Sequence, residues 1–188
     1  MGQASKVAAC SIRRFTRDDA EALARLRAEN RSFFEPWEPE RPSGLDTVSG
    51  QLRDLDSRER DWAADKRYSF AIVAEDGTLV GAVILSNVAR GAFQNATVGY
   101  YVGSAYNGQG YATAAVIHAV EFAFNSIGLH RVEAGVMDHN PASKRVLEKA
   151  GFRHEGFARN YLKIDGGWRD HHIFAITKED WARVGEEV

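Results

Sequence analysis

The chain has 188 residues, 44% of them hydrophobic, which is enough for one domain with a sizeable buried core. Its 24 basic and 26 acidic side chains leave a net charge of -2, and this balance excludes a general electrostatic attraction to nucleic acid or to an acidic membrane. Cys10 is the only cysteine, and no apolar run is long enough for a membrane span or a secretory signal. A single cytoplasmic domain over residues 1–188 is therefore expected.

The spacing of apolar residues in the first half of the chain predicts one strand, two helices and three further strands. The predicted ranges are 7–16 for the first strand, a helix capped by Asp18 or Asp19, a helix over 46–66, and strands over 68–74, 78–88 and 95–102. An Asp-Gly pair at 76–77 separates two of these strands and predicts a hairpin turn. The prolines at 36, 39 and 42 predict that regular structure ends around them.

The second half predicts a helix over 111–127, a strand over 131–138, a helix over 141–150, and two strands around a turn at 165–167. Pro141 suits the first position of the helix over 141–150. Gly128 follows the helix over 111–127, at a position where a left-handed backbone conformation commonly ends a helix. The resulting order, βααβββαβαββ, alternates strands with helices. This alternation predicts an α/β layer fold with at least one parallel pair of strands.

The most informative stretch runs from residue 100 to residue 113 and reads as strand, glycine loop and helix start. Gly108 and Gly110 precede the predicted helix, whose first N–H groups have no intrahelical acceptor and favour an anion. No Gly-Lys-Ser/Thr follows, and Thr113 replaces the third glycine of a dinucleotide fingerprint. The pattern predicts a phosphate site, and the alternative is a loop that only needs two tight turns.

Several motifs resemble the GNAT acetyltransferase superfamily. The stretch Asn107-Gly108-Gln109-Gly110-Tyr111-Ala112 resembles its pyrophosphate motif, Gln/Arg-x-x-Gly-x-Gly/Ala, with asparagine in place of the usual first residue. Further matches follow in the family's order at 129–134, 140–143 and 147–152. Residues 155–171 and 33–39 resemble the RimJ/RimL branch, whose enzymes acetylate the N-terminal amine of ribosomal proteins. The resemblance covers residues 12–181.

This resemblance implies a mixed α/β GNAT fold with a twisted sheet of six or seven strands and about four helices. It implies direct transfer of acetyl from acetyl-CoA to a protein N-terminal α-amine, with a ribosomal protein as the favoured acceptor. Acetyl-CoA would lie between the strands 95–102 and 131–138. The backbone would bind its pantetheine arm and its pyrophosphate through Tyr100, Tyr101, Val102, Asn107, Gly108, Gln109, Gly110, Tyr111, Ala112 and Thr113.

The resemblance also implies roles for residues that follow the second strand. Asn140 would hydrogen-bond the cofactor arm, and Arg145 or Lys144 would reach its phosphates. The alternatives are a helix cap for Asn140 and a solvated helix face for the two cations. Ser143 would hydrogen-bond or protonate the leaving thiolate, and its alternative is a surface serine.

The general base is harder to assign, because the usual glutamate positions of the family hold Thr97 and Gly135. Glu133 lies two residues from Gly135, on the same face of the strand, and is the first candidate. Asp138, His139 and a water chain are further candidates, since an α-amine is partly neutral at about pH 8. The alternative for Glu133 is a structural carboxylate in a salt bridge.

Trp37 and Glu38 are predicted to bind the acceptor, because the resemblance places their loop at the acceptor site. An amine cation would be attracted by a carboxylate of this loop, which is Glu35, Glu38 or Glu40. Trp37 could instead anchor the loop in the core.

His171 and His172 point to opposite faces of a strand, so no metal site is expected. Two other functions stay open: acetylation of a small amine such as an antibiotic, polyamine or amino acid, and a non-catalytic acyl-CoA sensor. Both a monomer and a homodimer are compatible with the sequence.

Overall fold

The computed structural model describes residues 10–186, and their strands form one seven-stranded sheet in the order β1-β2-β3-β4-β5-β7-β6. The strands are β1 (Cys10–Arg14), β2 (Tyr68–Ala74), β3 (Leu79–Ala89), β4 (Asn95–Val102), β5 (Arg131–Met137), β6 (Arg153–Ile164) and β7 (Gly167–Thr177). The helices are α1 (Ala20–Glu29), α2 (Arg31–Phe34), α3 (Val48–Ala63), α4 (Tyr111–Glu121), α5 (Pro141–Lys149) and α6 (Lys178–Glu186). The mixed α/β sheet confirms the predicted fold class.

One pair of neighbouring strands is parallel, and it is short. β4 and β5 pair from Asn95 with Arg131 to Thr97 with Glu133, whereas the other neighbours are antiparallel and pair over longer stretches. After Thr97 and Glu133 the two strands diverge, because no later residue of β4 pairs with β5. The sheet therefore opens into a gap at the carboxyl ends of these two strands.

Helices cover both faces of the sheet, and alternation along β2 separates the two faces. Ile72 belongs to the larger core cluster, which α4 and α5 share, and we call this side the α4 face. Ala71 and Val73 point the other way into a smaller cluster with α1 and α3, and we call that side the α1 face. Within residues 10–186, none of the helices combines the length and apolar character needed to cross a bilayer.

The observed helices depart from the sequence prediction at several ends. α3 begins at Val48 because the Thr47 hydroxyl accepts the Gly50 N–H at 3.1 Å and caps the helix. α4 ends at Glu121 and continues as a π-helical turn over Phe122–Ser126. Regular structure also extends past the first proline, through a 3-10 turn over Glu35–Trp37.

The sequence predicted about four helices, whereas the described part of the chain contains six. α2 is a single turn, and α6 is a charged helix that follows the last strand. Trp181 of α6 packs edge-on against Phe124 at 6.5 Å between ring centroids, so a tertiary contact secures this helix. Residues 7–9 of the predicted first strand lie outside the described residues.

Candidate active site

The carboxyl half of β4 has a free edge that lines the gap. The Gly103 N–H donates to the Val80 carbonyl oxygen at 2.9 Å, and Tyr101 lies in the same antiparallel ladder with β3. Because main-chain groups alternate along a strand, Tyr101 bonds toward β3, whereas Tyr100 and Val102 direct their N–H and C=O groups into the gap. An extended ligand can bind such an edge as an added strand.

A glycine turn next to this edge leads directly into α4. Gly108 and Gly110 have φ values of 74° and 93°, left-handed angles that a side chain would strain. Gly110 caps α4, and among the described residues no side chain caps the amides that follow it. The N–H groups of Tyr111, Ala112 and Thr113 therefore lack intrahelical acceptors and form the positive end of the helix dipole. This geometry is typical of an anion site.

The rest of the turn leaves space for an anion. The Asn107 N–H donates to the Ser104 carbonyl at 3.3 Å, and the Gln109 side-chain amide donates to the Ala105 carbonyl at 2.9 Å, so both residues are bonded within the loop. A Cβ on Gly108 would meet no atom of the described residues within 4 Å. Free main-chain donors beside open space fit the pyrophosphate of a CoA thioester.

At the start of α5, three polar side chains are joined. The Asn140 side-chain oxygen accepts the Ser143 N–H at 3.0 Å, so Asn140 caps the helix. The Ser143 hydroxyl lies 2.8 Å from the Tyr100 hydroxyl, and the Ser143 carbonyl oxygen, 3.2 Å from it, is a second acceptor for the single phenol hydrogen. Burial raises the pKa of the Tyr100 phenol, which therefore stays protonated. Ser143 is thus held by β4 across the gap, and its partner Tyr100 was not foreseen in this role.

The two cations of α5 differ in their surroundings. The Lys144 ammonium pairs with Asp138 at 3.1 Å. Arg145 is exposed, and it has no ion pair with any described residue. Of the two, Arg145 is the cation that is free to meet a phosphate.

Glu133, the first candidate for the base, has hydrogen-bond partners on both of its carboxylate oxygens. One carboxylate oxygen accepts the Arg131 guanidinium at 2.7 Å, and the other accepts the Asn95 side-chain amide at 3.3 Å. Arg131 also pairs with Glu155, and the two carboxylates together raise its pKa. This arrangement favours the alternative interpretation of Glu133 as a structural carboxylate.

The proline-bounded loop reaches the end of β5. The Trp37 ring lies 5.4 Å from the His139 ring and is 37% exposed, so it does not anchor the loop in the core. Glu38 accepts two hydrogen bonds from the buried Arg27 guanidinium at 2.7 and 2.8 Å, and a third from Arg41 at 2.7 Å. Glu38 therefore holds the loop in place, because both of its oxygens are occupied.

A cavity of about 440 Å³ lies between this loop and the turn that joins β6 to β7. Phe34 lines it and packs edge-on against Tyr101 of β4 at 5.2 Å, which places the cavity beside the gap on the α1 face. Its lining includes three exposed carboxylates that form no ion pair within residues 10–186, namely Glu35, Glu40 and Asp165. The cavity is thus suited to a cationic acceptor.

The two adjacent histidines of β7 lie on opposite faces of the sheet. His172 lies 2.8 Å from Asp138 and 2.9 Å from His154. His171 packs on the other face against Gly135 and Tyr161. Within the described residues, no three His, Cys, Asp or Glu side chains are grouped to hold a metal ion.

The divergent parallel strands, the glycine turn at a helix N-terminus and the adjoining cavity define the class of acyl-CoA-dependent N-acyltransferases. Residues 11–153 match the family model described as Acetyltransferase (GNAT) domain, and the chain belongs to this family. It is therefore an acetyl-CoA-dependent N-acetyltransferase.

Individual relatives agree with this assignment. The chain is 45% identical to the probable N-acetyltransferase YjcK of Bacillus subtilis, over 86% of this chain and 90% of that protein. It is 35% identical to the [ribosomal protein uS5]-alanine N-acetyltransferase of Escherichia coli, over 87% and 84% of the two chains. Mycobacterium smegmatis RimJ, solved in complex with CoA-disulfide, is 33% identical and superposes with a TM-score of 0.88 over 96% of this chain and 90% of that one.

Proposed function

We propose that this enzyme acetylates the N-terminal α-amine of a protein, and that a ribosomal protein is its acceptor. The observation that carries the proposal is the solvent-open cavity beside the gap. It is lined by Glu35, Glu40 and Asp165, three carboxylates that have no ion-pair partner in the described part of the chain. A chain terminus arrives as a cation and needs an open approach, and this cavity offers both an attractive charge and access. The likeness to the uS5-alanine enzyme of E. coli supports the same acceptor class.

In this proposal the free edge of β4 binds the pantetheine arm through Tyr100 and Val102. The pyrophosphate lies against the main-chain amides of the turn from Gly108 to Thr113, and Arg145 adds a charge from α5. Asn140 keeps its capping bond to Ser143 while its side-chain NH₂ group is left to donate to the cofactor arm.

Ser143 donates a hydrogen bond to the leaving thiolate. When the Tyr100 hydroxyl donates to the Ser143 oxygen at 2.8 Å, the Ser143 hydrogen is released for another acceptor. A hydrogen bond to a charged acceptor contributes about 1.5–3 kcal/mol, which is realised as the thiolate forms. Attack by the amine is direct, and no covalent enzyme intermediate is required.

The acceptor class can be tested with purified enzyme and acetyl-CoA. Peptides that begin with Ala or Ser are compared with the same peptides blocked at the N-terminus, and acetylation is located by mass spectrometry. We expect acetyl on the free α-amine and none on the blocked peptide. Acetylation restricted to lysine side chains would refute the proposal.

A small amine is the second candidate acceptor, because the volume of about 440 Å³ is also that of a small-molecule pocket. A panel of polyamines, amino acids and aminoglycosides is included in the same assay. Higher kcat/KM on any of these than on every peptide would favour the small-amine function. We place the reaction in the cytoplasm, where the free thiol of Cys10 is stable.

A further inference from the structure

A buried imidazole lies at the point where β4 and β5 part. Gly135 is the second residue after Glu133, which is the last residue of β5 that pairs with β4. A Cβ on Gly135 would meet the Tyr161 ring at 3.1 Å and His171 Cδ2 at 3.4 Å. Glycine at this position therefore lets both rings lie against β5, at the opening of the gap on the α1 face.

The hydrogen bond of His171 determines which ring nitrogen carries the proton. Nδ1 lies 2.9 Å from the main-chain oxygen of Arg169, and a carbonyl oxygen can only accept. Nδ1 must therefore carry hydrogen, which leaves the lone pair on Nε2 when the ring is neutral. Nε2 makes no hydrogen bond to any residue of the described chain.

The surroundings keep this ring neutral. Only 3% of His171 is exposed, and its burial lowers the pKa of the imidazole; the nearby His139 lowers it further. The Arg169 carbonyl and the Asp170 charge act in the opposite direction, but the net shift is downward. Tyr161, whose ring centroid lies 5.5 Å away, covers the imidazole on the side of β6. At neutral pH the ring is thus a proton acceptor.

We propose that His171 is the general base that deprotonates the acceptor ammonium through Nε2. This inference rests on the proposed function, since it needs an amine that arrives protonated. One ammonium proton passes to Nε2, and the nitrogen lone pair then forms the C–N bond to the thioester carbonyl. As the C–S bond breaks, the sulfur keeps its electron pair. The second nitrogen proton goes to the thiolate by way of the Ser143 hydroxyl, and His171 releases its proton to water.

The test compares His171→Gln with a matched control, His130→Gln. His130 is an exposed histidine that pairs with Glu179, away from the gap. At neutral pH we expect His171→Gln to lower kcat/KM for an Ala-led peptide by about 100-fold, and the control to change it little. The difference in kcat/KM between wild type and His171→Gln should become smaller as the pH rises above about 8, because the α-amine then loses its proton without a base from the enzyme.

If His171 has only a structural role, the loss in kcat/KM of His171→Gln will be the same at every pH. That result would overturn the proposal. Binding of acetyl-CoA, measured by calorimetry, should be the same in wild type and His171→Gln. The tautomer supplies a readout that is independent of turnover: ¹⁵N NMR of the wild-type enzyme should show hydrogen on Nδ1 of His171. Hydrogen on Nε2 in the neutral ring would also overturn it.

The outcomes separate this inference from the proposed function. If the wild-type enzyme acetylates no α-amine but is active on another amine, the acceptor assignment fails, and His171 is then assayed with that amine. If the wild type acetylates the peptide and His171→Gln does so at the same rate at neutral pH, the base assignment fails while the function stands.

Discussion

Replacement of Tyr100 by phenylalanine removes a buried hydroxyl that holds Ser143 across the gap. Tyr100 contributes two contacts, one to the Ser143 hydroxyl at 2.8 Å and one to the Ser143 carbonyl at 3.2 Å. The ring itself remains, so the packing of β4 is preserved. We expect the variant to bind acetyl-CoA normally but to orient the Ser143 hydroxyl poorly.

The expected magnitudes follow from the type of each bond. A neutral hydrogen bond contributes about 1 kcal/mol, which predicts that Tyr100→Phe lowers kcat about fivefold. Ser143→Ala removes the bond to a thiolate, worth about 1.5–3 kcal/mol, and should lower kcat by about 10- to 160-fold. Because Tyr100 acts only through Ser143, the double variant should be no slower than Ser143→Ala.

The assay is steady-state release of the CoA thiol, with acetyl-CoA affinity measured separately. Tyr68→Phe serves as the control, since it removes a tyrosine hydroxyl that bonds Asp65 away from the gap. Losses that add in the double variant would refute the argument that Tyr100 positions Ser143. An unchanged rate for Ser143→Ala would remove both residues from the chemistry.

Three further changes test the remaining parts of the site. Gly110→Val places a β-branched residue at a φ of 93°, which costs about 1–2 kcal/mol and fills the phosphate space, so calorimetry should show much weaker acetyl-CoA binding. Glu133→Gln should lower kcat/KM less than His171→Gln does; a loss in kcat/KM of about 100-fold or more would make Glu133 the base. Arg27→Met leaves Glu38 largely buried without its main partner, and we expect about 3 kcal/mol of lost stability by chemical denaturation. Unchanged stability would contradict the anchoring role of Arg27.

Much of the fold was predictable because the signals are local. The periods of apolar residues located β2 and β4 at their observed bounds, and the glycines at 108 and 110 marked the turn before α4. α6 escaped prediction because a short charged helix has little stability of its own and depends on a tertiary contact. The π-helical turn after α4 could not be predicted either, because the spacing of apolar residues does not distinguish it from a further α-helical turn.

In the candidate site, too, the features that depend on local sequence were predictable and those that depend on tertiary contacts were not. The sequence by itself determined the family, the anion turn and the candidacy of Ser143, since each depends on residues a few positions apart. Only the tertiary structure brought Tyr100 to Ser143, Arg27 to Glu38 and His171 to Gly135. Those pairs depend on strand register, on the divergence of β4 from β5 and on the packing of a loop, which side chains distant in sequence decide together. For the same reason Glu133, a plausible base from its position in the strand, is paired with Arg131 and Asn95.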